Sequence, residues 1–280
     1  MSTLDRSLRP AAGTAVARSR DTAADDYVGF CEAFRVLTKI DLGQYKRGQM
    51  ERRIRTFAQR VGVTDLMVYA RTLQSDPDEL ERFLDRVTIN VSQLWRNPQQ
   101  WSLLARDVIP KAVNGGRLRA WSAGSSYGAE AFTLAAVCKA TVPGARVEIL
   151  GTDIDKRMVE RARRGWFSAD DARDAPKGEL QRWFFESDKG WQAKPDLLKS
   201  VRFDVGDLLR IAPARGSYDL ILCRNTVIYF SEDVRDALHA RLAEALRPGG
   251  YLLVGSTERV ANVAACGLES CLPFTYRKVA

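Results

Sequence analysis

From Tyr27 to about Thr88 the apolar positions recur at helical spacing. VGFCEAFRVLTKI carries one such stripe, and YKRGQMERRIRTFAQRVGV is a strongly basic helix closing near Gly62. TDLMVYARTLQ opens on Thr64 as its cap. SDPDELERFLDRVTI opens on Ser75, with Pro77 at its start and acids in its first turn. No strand-like alternation occurs before residue 117. Residues 27–88 are therefore expected to form a small all-helical domain, followed over 89–116 by a linker and a connecting helix, QQWSLLARDVIPKAV. From residue 117 the period changes. RLRAWSA, RVEILGTD, SVRFDV, YDLILC, GYLLVGS and FTYRKV read as strands, with helical runs between most of them. That alternation predicts an α/β domain over 117–280 built on a parallel, doubly wound sheet. The last two strands stand too close for a full crossover helix, which predicts one antiparallel edge strand. ELQRWFFESDKGWQAKPDLLK does not read as a crossover helix, and a small strand-containing insertion is expected over about 168–199.

Two stretches concentrate the candidate chemistry. RLRAWSAGSSYGAE runs a strand into a small-residue turn and then into the helix AEAFTLAAVCKA. Strand, tight glycine turn and helix form a site where backbone approaches a nucleotide-like ligand at the carboxyl ends of parallel strands. LILCRNTVIY ends its strand in the polar trio Cys223, Arg224 and Asn225, which falls at the same end of the sheet. Gly124 and Gly128 are spaced G-x-x-x-G, not the G-x-G-x-x-G of a nicotinamide dinucleotide site. Asp153 ends the second strand, where an acid can accept both ribose hydroxyls. Glu130 opens the helix where a phosphate would otherwise sit, which suits a ligand with a cationic end. S-adenosylmethionine has a ribose, an ammonium and a sulfonium but no phosphate.

Composition narrows the field. The chain has 280 residues, 45% hydrophobic and 28% charged, as an ordinary globular protein does. No apolar run reaches the roughly 20 residues of a membrane span. The first 26 residues lack the apolar core of a secretory signal and are expected to be a disordered tail. Five scattered cysteines without a CxxC imply a reduced, cytoplasmic setting, with Cys31, Cys138 and Cys223 as small buried hydrophobes. His239 is the one histidine, so a metal cluster is not expected, and a surface or half-buried helical position suits it. The net charge of +8 comes with no basic–aromatic stripe for nucleic acid and can equally steer an acidic protein partner.

NVSQLWRNPQQW, RAWSAGSSYGAEAFTLA, ILGTDIDKRMVERARRGWF and YDLILCRNTVIYFSEDVRDALHARLAEALRPGGYLLVGSTER resemble, in order and spacing, the CheR-type chemotaxis receptor methyltransferases. The resemblance covers roughly residues 27–278. It implies a class I methyltransferase fold: a Rossmann-like, mostly parallel seven-stranded sheet with one antiparallel edge strand, preceded by a small all-helical domain. It also implies transfer of the S-adenosylmethionine methyl group to glutamate side chains on chemoreceptors. Carried over residue by residue, Asn90, Ser92 and Arg96 match the cofactor and active-site segment. Glu130 and Asp153 match the acids for the methionine ammonium region and the ribose, and Asp207 and Leu208 fall near the adenine. Gly124, Cys223, Arg224 and Asn225 complete the cofactor set, and Tyr229 matches the active-site tyrosine. Arg52, Arg53 and Arg55, on the basic helix Lys46 to Arg60, would face an acidic helical bundle of the receptor.

The sequence departs from the family pattern in places. Gly128-Ala129-Glu130-Ala131 stands for G-E-E-P, Asp207 for an asparagine, Leu94-Trp95 for Phe-Phe, and Gly255-Ser256-Thr257-Glu258 for G-H-S-E. The short 186–195 segment, with one glycine, argues against docking of a receptor tether peptide. A monomer without nucleic-acid or membrane partners is expected. A glutamate carboxylate is already ionised at neutral pH and needs no general base. Arg96 can position it by a charge-assisted bond, and Tyr229 can sit beside the methyl. A non-catalytic cofactor-binding scaffold, or a methyltransferase for another acceptor, stays open at this point.

Overall fold

The computed structural model describes residues 19–87 and 92–279. Four helices come first: α1 (Ser19–Thr38), α2 (Arg47–Arg60), α3 (Leu66–Ser75) and α4 (Pro77–Val87). Phe30, Phe34, Tyr69 and Phe83 form their aromatic core, with the Phe34 and Phe83 rings 5.4 Å apart and edge to face. The first helix reaches back to Ser19, so part of the expected tail is helical. The rest of that tail lies outside the described residues. The caps of α3 and α4 are Asp65 and Asp76, one residue beyond the expected Thr64 and Ser75. Asp65 Oδ1 accepts from the N–H of Met67 and Val68 at 2.7 and 3.1 Å, and Asp76 Oδ1 from Glu79 at 3.0 Å. A proline at the first helical position makes its predecessor the cap, which is Asp76.

The connecting segment folds as α5 (Pro98–Leu103), a π-type turn and α6 (Ile109–Ala112), the last carrying Pro110. Beyond it come β1 (Arg117–Ala123), α7 (Ala129–Thr141), β2 (Arg146–Asp153) and α8 (Lys156–Arg164). Next are β3 (Trp166–Ser168), α9 (Lys177–Trp183), β4 (Phe184–Ser187), β5 (Gly190–Ala193) and α10 (Pro195–Leu198). The chain ends with β6 (Val201–Val205), β7 (Tyr218–Cys223), α11 (Glu232–Ala245), β8 (Leu246–Val254), β9 (Leu268–Leu272) and β10 (Thr275–Lys278). The main sheet has seven strands in the order β6-β2-β1-β7-β8-β10-β9. It is mostly parallel, as expected. The reversed strand is β10, paired antiparallel to β8 and to β9, a short strand the sequence reading does not name. Its pattern, LESCL, buries only Leu268 firmly, so it carries little hydrophobic signal. β3, β5 and β4 form a separate antiparallel sheet.

Helix α7 is buried from Ala129 to Cys138 except at Glu130, because it lies between the sheet and the connecting helices. His239 on α11 is 1% exposed, not at the surface, and neither ring nitrogen has a partner among the described residues. Burial holds its pKa down to about 4.

Two seams join the helical domain to the sheet domain. The Lys46 N–H donates to the Tyr229 carbonyl at 2.9 Å and the Ser231 N–H to the Gln44 carbonyl at 3.0 Å, with the Tyr45 and Phe230 rings 5.1 Å apart. On the other side Arg157 of α8 pairs with Glu81 and Asp85 of α4, at 3.1 and 3.0 Å.

Candidate active site

The strand order turns between β1 and β7, and a cleft opens at the carboxyl ends of the strands there, as open α/β sheets place their ligands. Its empty volume is about 1120 Å³, solvent-open mouth included, and Ile40, Asp41, Tyr45 and Val87 of the helical domain form one wall. After β1 the N–H groups of Gly124 and Ser125 both donate to the Thr152 carbonyl, each at 2.9 Å. Gly124 takes φ +80°, and a Cβ there would lie 2.5 Å from Thr226 Oγ1 beyond β7. Glycine alone lets these two strand ends approach so closely. Asp153 closes β2 and accepts from the N–H of Ser126 and Asp155 at 2.7 and 3.0 Å. Burial raises its carboxyl to about 6 despite those two amides.

Across the turn stands a buried ion pair. Ser122 Oγ donates to Glu130 Oε1 at 2.8 Å, and Arg224 Nη1 to Glu130 Oε2 at 3.2 Å. The Arg224 side chain is 2% exposed. Its Nε and Nη2 donate to Gln100 Oε1 at 3.0 and 2.6 Å, and Nη2 also to the Arg96 carbonyl and Asn97 Oδ1 at 2.9 and 3.1 Å. Burial pushes the Glu130 carboxyl up, opposed by Arg224, and pushes the Arg224 guanidinium down, opposed by Glu130. Arg224 thus braces Glu130 and the Arg96–Gln100 segment together.

Arg96 sits between two left-handed residues, Trp95 at φ 56° and Asn97 at φ 59°. Asparagine tolerates that conformation, whereas a tryptophan rarely adopts it. The strain is held by surrounding contacts: the Trp95 N–H donates to Thr133 Oγ1 at 3.1 Å, and the Trp95 ring packs against Phe184 of the insertion. Tyr229 is half-buried on the short turn after β7. Burial raises its hydroxyl pKa, and the charges of Arg53 and Arg96 pull it back down. Beside it Arg52 and Arg53 of α2 line a shallow depression that shares Tyr45 and Tyr229 with the cleft.

Ser92, Arg96, Gly124, Glu130, Asp153, Asp207, Leu208, Arg224, Asn225 and Tyr229 all line the cleft. Asn90 lies outside the described residues. Cys223 does not line it: successive residues of β7 alternate in direction, and Cys223 points with Ile221 into the core. Arg55 does not join Arg52 and Arg53. Its guanidinium is engaged inside the helical domain by Asp26, at 2.7 Å, and Glu51, at 2.8 Å. Asp207 Oδ1 accepts from the N–H of Leu209 at 2.8 Å, so its carboxylate closes its own turn. Tyr45, Asp41, Gln100 and Ser126 escaped sequence reading. No local signal marks Tyr45 or Asp41, which reach the cleft only when the domains pack.

The cleft offers a carboxylate at the end of β2, a second buried acid by the glycine turn, and apolar walls in Val87, Ile154, Leu208 and Leu209. Gly124 keeps the floor clear of side chain. These features fit a nucleoside with a cationic arm, the chemistry of S-adenosylmethionine, in a Rossmann-like methyltransferase fold. Residues 90–270 match the family model described as CheR methyltransferase, SAM binding domain, and residues 25–88 match CheR methyltransferase, all-alpha domain. The chain belongs to the CheR methyltransferase family, and its cofactor is S-adenosylmethionine. It is 33% identical over 255 residues to a chemotaxis protein methyltransferase of Listeria monocytogenes, covering 90% of this chain and 97% of the relative. It is 31% identical to chemotaxis protein methyltransferase 1 of Pseudomonas aeruginosa, covering 83% of this chain and 90% of that one. No described helix is long and apolar enough to cross a membrane.

Proposed function

We propose that this methyltransferase esterifies glutamate side chains on the cytoplasmic signalling domain of chemoreceptors, giving glutamyl methyl esters. The observation that carries this reading is that each carboxylate lining the cleft among the described residues already accepts a hydrogen bond. Asp153 takes two backbone amides, Glu130 takes Ser122 and Arg224, Asp207 takes Leu209, and Asp41 takes the Gly43 N–H at 3.0 Å. The one histidine is buried on α11. With no uncommitted base among the described residues, the site suits an acceptor that is already deprotonated at neutral pH, as a carboxylate is and an alcohol or an ammonium is not.

S-adenosylmethionine, when bound, supplies an electrophilic sulfonium methyl. Asp153 accepts from its ribose hydroxyls, and Glu130, held by Arg224, faces its cationic arm. Leu208 and Leu209 give the apolar wall for the adenine. Arg96 orients the acceptor carboxylate from a backbone fixed on both sides, and Tyr229 closes the mouth and excludes water. Arg52 and Arg53 receive acidic receptor surface at the depression that leads to Tyr229. The names of the relatives support the chemotaxis setting.

The test is transfer of labelled methyl from S-adenosylmethionine to a receptor cytoplasmic fragment. Base-labile label on glutamate is expected. Label that resists base, or label that never enters the fragment, overturns the reading. Arg96→Ala is expected to lower turnover more than cofactor affinity, and more than Tyr229→Phe does.

A further inference from the structure

The turn that presents Tyr229 is held from behind by a residue outside the cleft. Glu258, in the turn after β8, is 4% exposed. Its Oε2 accepts from the N–H of Gly255 at 2.6 Å and of Asn225 at 2.8 Å, and the N–H groups of Val227 and Ile228 also face the carboxylate. Amides from the ends of two neighbouring strands, β7 and β8, thus converge on one side chain. Asn225 opens the turn in the left-handed region, at φ 57°, and its N–H finds its acceptor in Glu258. The space for that acceptor exists because residue 255 is glycine. A Cβ there would lie 2.5 Å from Glu258 Oε2 and 3.0 Å from the Asn225 nitrogen. Oε1 has no hydrogen-bond partner among the described residues. An enclosed carboxylate is costly unless its contacts are worth more than an apolar filler's.

We propose that Glu258 is a positioning residue for methyl transfer, fixing the Asn225–Tyr229 turn and through it the aim of Tyr229. The far end of that turn is fixed by the helical domain, where the Lys46 N–H meets the Tyr229 carbonyl at 2.9 Å. With Glu258 removed, the Asn225 end of the turn loses the acceptor that ties it to β8, and a shift of about 1 Å in a substrate-positioning group costs on the order of 100-fold in rate. The proposal rests on the reading of Tyr229 as an active-site residue.

The experiment measures kcat and KM on a receptor fragment, and cofactor Kd by calorimetry, for Glu258→Ala, Glu258→Gln and Gly255→Ala, with Glu258→Ala repeated in a Tyr229→Ala background. Glu258→Ala is expected to lower kcat by roughly 10- to 100-fold while Kd moves less than about threefold. Glu258→Gln keeps an oxygen for both amides and should recover most of that rate. Gly255→Ala displaces the carboxylate and crowds the Asn225 amide, and should reproduce the loss. In the Tyr229→Ala background the further loss from Glu258→Ala should shrink to under about threefold, since groups that act as a unit are not additive. Wild-type kcat in Glu258→Ala, equal damage from Gln and Ala, or fully additive losses each overturn the inference. If Glu258→Ala does not fold, the contrast between Glu258→Gln and Gly255→Ala decides it. Wild-type turnover in Tyr229→Ala alone would instead defeat the site assignment beneath it.

Discussion

On the sheet side of the cleft, Glu130 and Arg224 are buried, bonded to each other and tied to four further groups of the chain. On the helical side, Arg52 is exposed and Arg53 half-buried, and neither guanidinium makes a hydrogen bond or ion pair with a described residue. Charge that is desolvated and wired into a network holds geometry, and its loss leaves a partner stranded in low dielectric. Charge left in solvent holds no geometry but shapes the field through which a partner arrives. The cofactor wall and the wall proposed to receive the receptor should therefore respond to mutation in different observables.

The hardest blow to the sheet side is Arg224→Ala. It strands Glu130, and removing one partner of a buried pair costs about 3–5 kcal/mol. Denaturant unfolding should show a stability loss of that order, and a loss under about 1 kcal/mol would mean that the pair is not wired as described.

Next in size is Asp153→Ala, expected to weaken S-adenosylmethionine binding by about 1.5–3 kcal/mol per lost charged bond in a folded protein. The same carboxyl sets a pH dependence. Its folded pKa of about 6 lies above the ordinary aspartate value of 3.8, so the free protein takes up a proton across that window before the unfolded chain does. That contribution makes the free protein more stable as pH falls from about 6 toward 3.8. Cofactor binding needs the ionised form, so affinity should fall over the same window. Calorimetry across pH 5 to 8 checks the sign, and a flat profile in the wild type would remove Asp153 from the ribose.

Within the helical domain, Asp65→Ala removes the acceptor of two amides at the start of α3 and should cost about 1 kcal/mol. Thr64→Ala should cost far less, and thermal unfolding of both separates the cap from its neighbour.

The smallest effect, and the one that sharpens the contrast most, belongs to Arg53→Glu. It should raise the apparent KM for receptor while sparing stability and cofactor affinity. That rise should fade as salt increases, because exposed charges are screened over about 8 Å at physiological ionic strength. Identical, salt-independent kinetics would leave α2 as scaffold.

Most of the fold was legible in the sequence because the period of the apolar pattern changes once, from helical before residue 117 to alternating strands and helices after it. Six of the seven main strands carry enough apolar residues to announce themselves. β9 does not, since four of its five positions are exposed or half-buried at the sheet edge. The reading of the helix caps slipped by one residue because Thr64 and Ser75 are as good capping types as Asp65 and Asp76, and only backbone geometry chooses. His239 read as a surface or half-buried residue, where the structure buries it, because one helix face cannot be told from another when both hold mixed residues.

What the sequence by itself determined is the set of residues at the ends of strands. Gly124, Glu130, Asp153, Arg224 and Asn225 reach the cleft because strand, turn and helix lengths place them there. What only the tertiary structure decided is which charges are spoken for. Arg55 and Arg53 lie two positions apart on α2 and look alike in sequence, yet Asp26, 29 positions away, engages the one and leaves the other beside Tyr229. Tyr45 enters the cleft through the pairing of its segment with residues 229–231. Local pattern encodes secondary structure and its ends, whereas the partner of a long side chain is set by packing across the whole chain, and no local period records it.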